Sequence, residues 1–321
     1  MKILVTGGAG FIGSNFIART IETRGFSQVT VLDSVTQAGA KNNLYPFLGK
    51  INFVQGDIRD SGLTDKLISE SDLVVHFAAE SHNDNSLVNP NIFFETNVMG
   101  TLNIANSCAK HDVRLHHVST DEVFGDLPLD SADRFSTSTP YNPSSPYSAS
   151  KAAADHIVRA WIRSFGLRAT ISNCSNNYGP NQHWEKLIPH TIQALLKGEK
   201  ARIYGDGLNV RDWIHVNDHI DGIWLAIGRG QPGKTYLFGA RDNLTNLEVV
   251  SSIVRELGRD EDSIEHVSDR LGHDLKYSID PSFAESELGW QPKHHSLISD
   301  MSSLLPGYVD KWLRETDASG R

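Results

Sequence analysis

Through the first half of the chain, short apolar runs alternate with longer stretches of mixed polarity. The runs are Ile3-Leu4-Val5, Val29 to Leu32, Ile51 to Val54, Leu73 to Phe77, Leu115 to Val118 and Arg168 to Ser172. Such short runs, bounded by polar residues, predict buried strands. Helices are expected between them, from about Ser14 to Arg24, around Glu95–Thr101 and from Ser148 to Phe165. Strand and helix in alternation predict an α/β fold with a doubly wound parallel sheet.

From about Asn176 the pattern changes. Asn176-Asn177-Tyr178-Gly179-Pro180 breaks the alternation, and Glu185-Lys186-Leu187-Ile188-Pro189 enters a helix running to about Lys197. Short strands follow at Ala201–Tyr204, Arg211–Val216 and Tyr236–Phe238, with a turn at Gly205-Asp206-Gly207 and a helix holding Asp218, His219 and Trp224. Leu247–Leu257 reads as an amphipathic helix with Asn246 near its cap, and Asp269–Asp274 as a loop. Two domains are expected: residues 1–177 with about 214–239, and a smaller α/β unit of 178–213 with 240–321. The end, Asp317 to Arg321, reads as flexible.

Composition narrows the partners. Lys and Arg number 30 against 39 Asp and Glu, a net charge of −9 with no basic run, which argues against nucleic acid. No apolar stretch is long enough to span a membrane, and because Met1 leads straight into a strand no signal peptide is expected. Cys108 and Cys174 lack metal-ligand spacing and read as free thiols in a reducing cytoplasm. The 14 histidines show no ligand spacing either, so no metal is expected. His116 and His117 read as strand-packing residues and His183 as a loop residue.

Candidate chemistry collects just after the apolar runs, at the carboxyl ends of parallel strands, where open α/β sheets bind ligands. After the first run comes Gly7-Gly8-Ala9-Gly10-Phe11-Ile12-Gly13, a glycine turn opening a helix and suited to a pyrophosphate. Asp33 ends the second run, at the spacing of a ribose-binding carboxylate. No arginine follows in Ser34-Val35-Thr36-Gln37 to take a 2′-phosphate, which favours NAD over NADP. Asp57 and Ile58 could hold an adenine, or Asp57 could cap a helix. Ala78 and Ala79, before Glu80-Ser81, allow close approach of a flat cofactor.

The fifth run leads into Ser119-Thr120-Asp121-Glu122-Val123-Phe124-Gly125, and Tyr147-Ser148-Ala149-Ser150-Lys151 opens the long helix. Tyr147 and Lys151 fall one turn apart on one helix face. An ammonium beside a phenol favours phenolate, which would make Tyr147 a base near neutrality. With Thr120, Asp121 and Glu122, these are the parts needed to oxidise an alcohol and then eliminate water beside the new ketone. The Ser148–Phe165 helix carries apolar residues on more than one face, expected to pack against a second subunit or a covering loop. Lys186, Arg202, Arg211 and Arg270 are candidate clamps for a diphosphate, or solvated surface charges.

Together these motifs resemble the extended short-chain dehydrogenase/reductases that act on nucleotide sugars, and within them the dTDP-glucose 4,6-dehydratases. The carriers are Ala78–His82, Ser119–Gly125, Tyr147-x-x-x-Lys151, Ser175–Pro180, Glu185–Pro189, Tyr204–Trp213 and Asp269–Asp274, with the likeness running from Met1 to about Pro292. The resemblance implies a Rossmann-type NAD domain and a C-terminal nucleotide-sugar domain; the homodimer is expected from the apolar faces of the Ser148–Phe165 helix. It implies that Tyr147, aided by Lys151 and Thr120, deprotonates the hydroxyl on sugar carbon 4 while hydride leaves for NAD. Glu122 then takes the hydrogen on carbon 5, Asp121 protonates the departing hydroxyl of carbon 6, and hydride returns to carbon 6. Contacts to the cofactor are implied at Gly7, Gly10, Phe11, Ile12, Gly13, Asp33, Ser34, Thr36, Asp57 and Ile58. They continue at Phe77, Ala78, Ala79, Ser81, Thr96, Tyr147, Lys151 and Asn177. Contacts to the substrate, dTDP-glucose, are implied at Ser81, Thr120, Asn176, Lys186, Leu187, Arg202, Ile203, Tyr204, Arg211, Asn246, Asp269, Arg270 and His273.

Several positions depart from the family pattern: Asn83 and Asn85 for valine and arginine, Phe124 for tyrosine, Leu271 for proline, Asn173 for arginine, and an unusual His183-Trp184. None stands at a residue of the chemical steps. A nucleotide-sugar 4-epimerase would share Thr120, Tyr147, Lys151 and NAD but has no use for an acid–base carboxyl pair. A non-catalytic binder on the same fold would not need the complete set, and a decarboxylating relative would need a further cation for a sugar carboxylate.

Overall fold

The structure, a computed structural model, describes residues 1–25, 28–36 and 40–319. Gln37 and the terminal Gly320 and Arg321 lie outside them, and the tail read as flexible from Asp317 has helical backbone as far as Ser319.

The apolar runs form the strands β1 Ile3–Thr6, β2 Val29–Asp33, β3 Ile51–Gln55, β4 Leu73–His76, β5 Arg114–Thr120 and β6 Ala169–Cys174. The second half contributes β7 Asn176–Tyr178, β8 Ala201–Tyr204, β9 Val210–His215, β10 Thr235–Phe238, β11 Asn243–Thr245 and β12 Ile264–Val267. Seven strands make one sheet in the order β10-β6-β5-β4-β1-β2-β3, parallel throughout. The chain runs outward from β1 to β3, then crosses back to β4, so the order reverses between β1 and β4. In such a sheet the crevice for a ligand opens at that reversal, beyond the carboxyl ends. His76 pairs with His117, so β5 projects three residues further and carries Thr120 over that edge.

Strand alternation feeds two cores. Val5, Val31 and Val75 face one cluster with Phe16, Ile17, Ile220 and Trp224, from the helices Phe11–Arg24 and Val216–Arg229. Leu4, Leu32, Val74 and Leu115 face the other, with Ile68, Ile104 and Val158 from the helices Ser61–Ser69, Thr101–Lys110 and Pro146–Phe165. A third cluster joins the helices Leu187–Leu196, Asn246–Glu256 and Leu297–Ser319 over β8 and β9. Beside it lie a three-stranded sheet, β11-β9-β7, and the parallel pair β12-β8.

Some boundaries differ from expectation for local reasons. The first helix starts at Phe11, inside the glycine turn. The cap of Asn246–Glu256 is Thr245, whose hydroxyl accepts from Glu248 N while the Glu248 side chain returns the bond, so Asn246 is the first helical residue. Asp60, not Asp57, caps the helix Ser61–Ser69. Asn176–Tyr178, read as a break, pairs with β9. Among the described residues no helix is long and apolar enough to cross a membrane.

Candidate active site

One cavity of about 310 Å³ runs along the carboxyl edge of the large sheet. Every residue expected to meet the dinucleotide lines it, from Gly7 in the first turn to Asn177 in β7. Gly7 has φ +69°, and a Cβ there would stand 2.5 Å from the Ala78 nitrogen. At Gly13 a Cβ would lie 2.3 Å from the Gly7 oxygen. Side-chain-free backbone at a helix N-terminus is what a pyrophosphate needs. Asp33 accepts from Ala9 N at 2.9 Å and Val35 N at 2.8 Å, which fixes its carboxylate at the cavity rim. Burial raises the Asp33 pKa, and these two bonds oppose the rise. The residues present therefore fit a dinucleotide with an unphosphorylated ribose. Opposite, Asn97 accepts from Glu80 N at 2.8 Å and donates to Glu80 O at 3.0 Å and Ser150 Oγ at 2.9 Å. It sits in a π-helical turn, Phe94–Gly100, a local irregularity frequent at functional sites.

The reacting groups converge at the end of β5. The helix Pro146–Phe165 begins where Ser145 caps it: its hydroxyl accepts from Ser148 N at 3.1 Å, and Ser145 N donates to Ser148 Oγ at 2.9 Å. Pro146 occupies the first turn, where its missing N–H costs nothing. This start puts Tyr147 and Lys151 on the buried face, with Tyr147 edge-on to Phe93. Beside them Thr120 donates to Asp121 Oδ1 at 3.3 Å and accepts from Glu122 N at 3.3 Å.

Environment separates the two carboxyl groups. Burial, Glu122 and Asp212 push Asp121 well above the usual carboxylate range, and its Oδ2 is buried without a hydrogen-bond partner. Asp121 is therefore the member biased toward its protonated form. Burial raises Glu122 too, but Arg270, Lys186 and Arg211 pull the other way. Burial and then Glu122 push the Tyr147 phenol up, and the Lys151 ammonium, one turn along, donates to Val118 O at 2.9 Å. Burial lowers Lys151 itself, with Asp155 opposing. Behind the pair, Asn173 donates to Thr120 O at 2.9 Å and to Asp155 Oδ2 at 3.2 Å, and Asp155 also accepts from Tyr141 at 2.7 Å.

Of the residues expected to meet the sugar nucleotide, Ser81, Thr120, Asn176 and Lys186 line the cavity. Lys186 Nζ donates to Ser81 O at 2.8 Å across it. Tyr204, Asp269, Arg270 and His273 stand together outside that wall: Arg270 lies 3.5 Å and Tyr204 3.4 Å from Asp84, and His273 lies 2.7 Å from Asp269. Arg211 is pinned beneath, donating to Asp274 O at 2.9 Å with its guanidinium over the Tyr277 ring. The structure does not bring Leu187, Arg202, Ile203 or Asn246 to the wall. Leu187 and Ile203 pack into the third cluster, and strand alternation turns Arg202 outward to Glu265 at 2.9 Å. Asn246 opens its helix, its N–H donating to Asn209 O. Glu80, Gln182, His183 and Glu185 line the cavity without having been singled out for it. The last three follow β7, so the strand-end rule extended past Asn177 would have found them.

A family profile described as GDP-mannose 4,6 dehydratase matches residues 4–301. A dTDP-glucose 4,6-dehydratase of Mycolicibacterium smegmatis is 54% identical over 316 residues, 98% of this chain and 96% of the relative. The dTDP-glucose 4,6-dehydratase DesIV of Streptomyces venezuelae, solved with NAD bound, matches with a TM-score of 0.93 at 43% identity, over 97% of each chain. The UDP-glucose 4-epimerase of Thermus thermophilus, solved as a complex with NAD, matches with a TM-score of 0.88 at 28% identity, over 96% of this chain and 99% of that one. The family match and the identity over nearly the whole length agree: the chain belongs to the GDP-mannose 4,6 dehydratase family, among its dTDP-glucose 4,6-dehydratases.

Proposed function

We infer that the chain is an NAD-dependent hydro-lyase converting dTDP-glucose to dTDP-4-keto-6-deoxyglucose. The observation that carries this is the enclosed Asp121–Glu122 pair beside Thr120 and Tyr147, one carboxyl group biased to keep a proton and the other faced by cations. NAD, which the glycine turn and Asp33 would hold, would supply the hydride acceptor and afterwards the hydride donor. Thr120 holds the 4-hydroxyl, and Tyr147 takes its proton once its own has been released, a loss that the Lys151 ammonium on the same helix face favours. The ketone at carbon 4 acidifies carbon 5, whose hydrogen passes to Glu122. Its bonding electrons form the bond between carbons 5 and 6 as hydroxide leaves carbon 6 with the Asp121 proton, as water. Glu122 can then return a proton to carbon 5 when carbon 6 is reduced. Lys186 and Arg270 are the cations proposed to meet the diphosphate.

The domain division is part of the proposal: 1–177 with about 214–239 for the dinucleotide, 178–213 with 240–321 for the sugar nucleotide. It is supported by β10 joining the large sheet beside β6. A reducing cytoplasm suits two buried free thiols. A homodimer is supported by the exposed Phe94, Met99 and Phe165, at 42%, 53% and 63%, on neighbouring helices. Static light scattering at micromolar concentration should give twice the chain mass, and Phe165→Glu should lower it; a wild-type monomer would refute the dimer.

For the activity, the protein with NAD is incubated in parallel with dTDP-glucose, UDP-glucose and UDP-N-acetylglucosamine. Mass spectrometry should find loss of one water from dTDP-glucose. A product of unchanged mass would indicate an epimerase, and no product a non-catalytic binder.

A further inference from the structure

Asn83 lies outside the motifs that carry the chemistry, yet its side-chain nitrogen donates to Glu122 Oε2 at 2.9 Å. Among the described residues it is the one hydrogen-bond donor to that carboxylate. An ionised carboxylate only accepts, so the amide nitrogen, not the oxygen, must face Glu122. The direction of the amide is set by its place in the chain. Asn83 is the first residue of the helix Asn83–Val88, capped by His82, and its own carbonyl accepts from Ser86 Oγ at 2.6 Å. The residues on either side are tied across the cavity mouth, Ser81 O to Lys186 and Asp84 to Arg270. The strap from Ser81 to Asp84 is thus anchored at both ends, with Asn83 held over the base between them.

We propose that Asn83 is a positioning residue for the dehydration, its amide holding the Glu122 carboxylate in the orientation from which it takes the hydrogen on carbon 5. The proposal rests on Glu122 being that base. A proton moves from carbon 5 to a Glu122 oxygen; the amide gives up no proton and only holds the acceptor in place. A neutral donor suits the task. It restrains the carboxylate as an ammonium would, but without a full charge to suppress its basicity.

The test uses the NAD-loaded enzyme with dTDP-glucose and the variants Asn83→Leu, which removes the donor at similar volume, and Asn83→Gln, which keeps one. Asn83→Leu should lower kcat about tenfold, the cost of a loosened reacting group, with KM within about twofold. Oxidation should still proceed, so the near-ultraviolet band of reduced nicotinamide should build up during turnover, and deuterium from solvent should enter carbon 5 more slowly. Asn83→Gln should recover part of the rate. Wild-type kcat and no build-up in Asn83→Leu would overturn the proposal. So would equal loss of oxidation and elimination with a raised KM, the mark of a merely structural role. If Asn83→Leu melts early, Asn83→Ala, which also lacks the donor, is read by the same criteria. Glu122→Gln separates the two failures: if it still exchanges carbon 5, the base is misassigned and both readings fall. If it does not and Asn83→Leu is silent, only Asn83 is refuted.

Discussion

At the scale of single residues, the site works by placing like groups in unlike surroundings. Asp121 and Glu122 are adjacent, yet Asp121 points an unpartnered oxygen into a buried space while Glu122 faces cations and an amide. Asp121→Asn keeps the shape and removes the proton to be donated. It should retain oxidation at carbon 4 and lose about 10²–10⁴-fold in elimination, the usual worth of a positioned proton transfer. Rapid-mixing absorbance should show reduced nicotinamide forming and persisting, and wild-type turnover would refute the assignment. The pair was legible in the sequence because both residues follow one apolar run. Asn83 and Asn173 were not legible as parts of the site: they act across 39 and 53 residues of chain, on Glu122 and on the Thr120 carbonyl. The Lys151 bond to Val118 O was not legible either, because it joins the helix to a strand 33 residues earlier.

At the scale of elements, the fold places chemistry by strand ends. The six strands of the first half were readable because parallel strands covered on both faces are continuous apolar runs. The parallel pair β12-β8 was half missed. β8 shows buried Ala201 and Ile203 alternating with exposed Arg202 and Tyr204, while its partner lies some sixty residues on and has no fully buried side chain. The alternation of β8 also explains why Arg202 and Ile203, adjacent in a motif, both miss the cavity. The glycine turn tests the principle. At Gly13 the atoms that a Cβ would meet are backbone, Gly7 O and Gly8 Cα at 2.3 and 2.8 Å, so the turn and its helix must separate. Gly13→Ala should cost about 1–3 kcal/mol and weaken NAD binding at least about tenfold. At Gly49 a Cβ meets nothing within 4 Å, so Gly49→Ala should stay within about 0.5 kcal/mol. Thermal melting and titration calorimetry with NAD check both; a Gly13→Ala protein with unchanged affinity would remove the cradle.

At the scale of the whole molecule, the large sheet and the smaller sheets are joined through β9, and Asp212 lies at the join. Asp242 N donates to its Oδ1 at 3.1 Å, Trp213 N donates to Asp242 O at 3.0 Å, and Asp242 in turn accepts from Leu297 N at 2.7 Å at the start of the last long helix. A Cβ at Gly239, just beyond β10, would lie 2.5 Å from Asp212 Oδ2, and Asp212 is fully buried. Burial raises the Asp212 pKa to about 7 from an ordinary 3.8. The sign follows from the protons bound. Between 3.8 and about 7 the native state keeps a proton that the unfolded chain has released. The stability this proton confers is whole below 3.8 and is lost as pH rises through about 7. Other groups titrate in the same range, so wild type alone would not isolate the effect. Asp212→Asn does, because it fixes the neutral form while keeping an oxygen for Asp242 N. Wild type and variant should melt alike near the acid end of that window. The variant should then gain on wild type as pH rises, by a few degrees in Tm once the carboxyl has ionised, on the order of several kcal/mol before solvent relaxation reduces it. Differential scanning calorimetry across the window reads the difference directly. A gap between the two proteins that stays flat with pH would mean that water or a cation reaches Asp212, and that the join between the sheets is not the dry contact described.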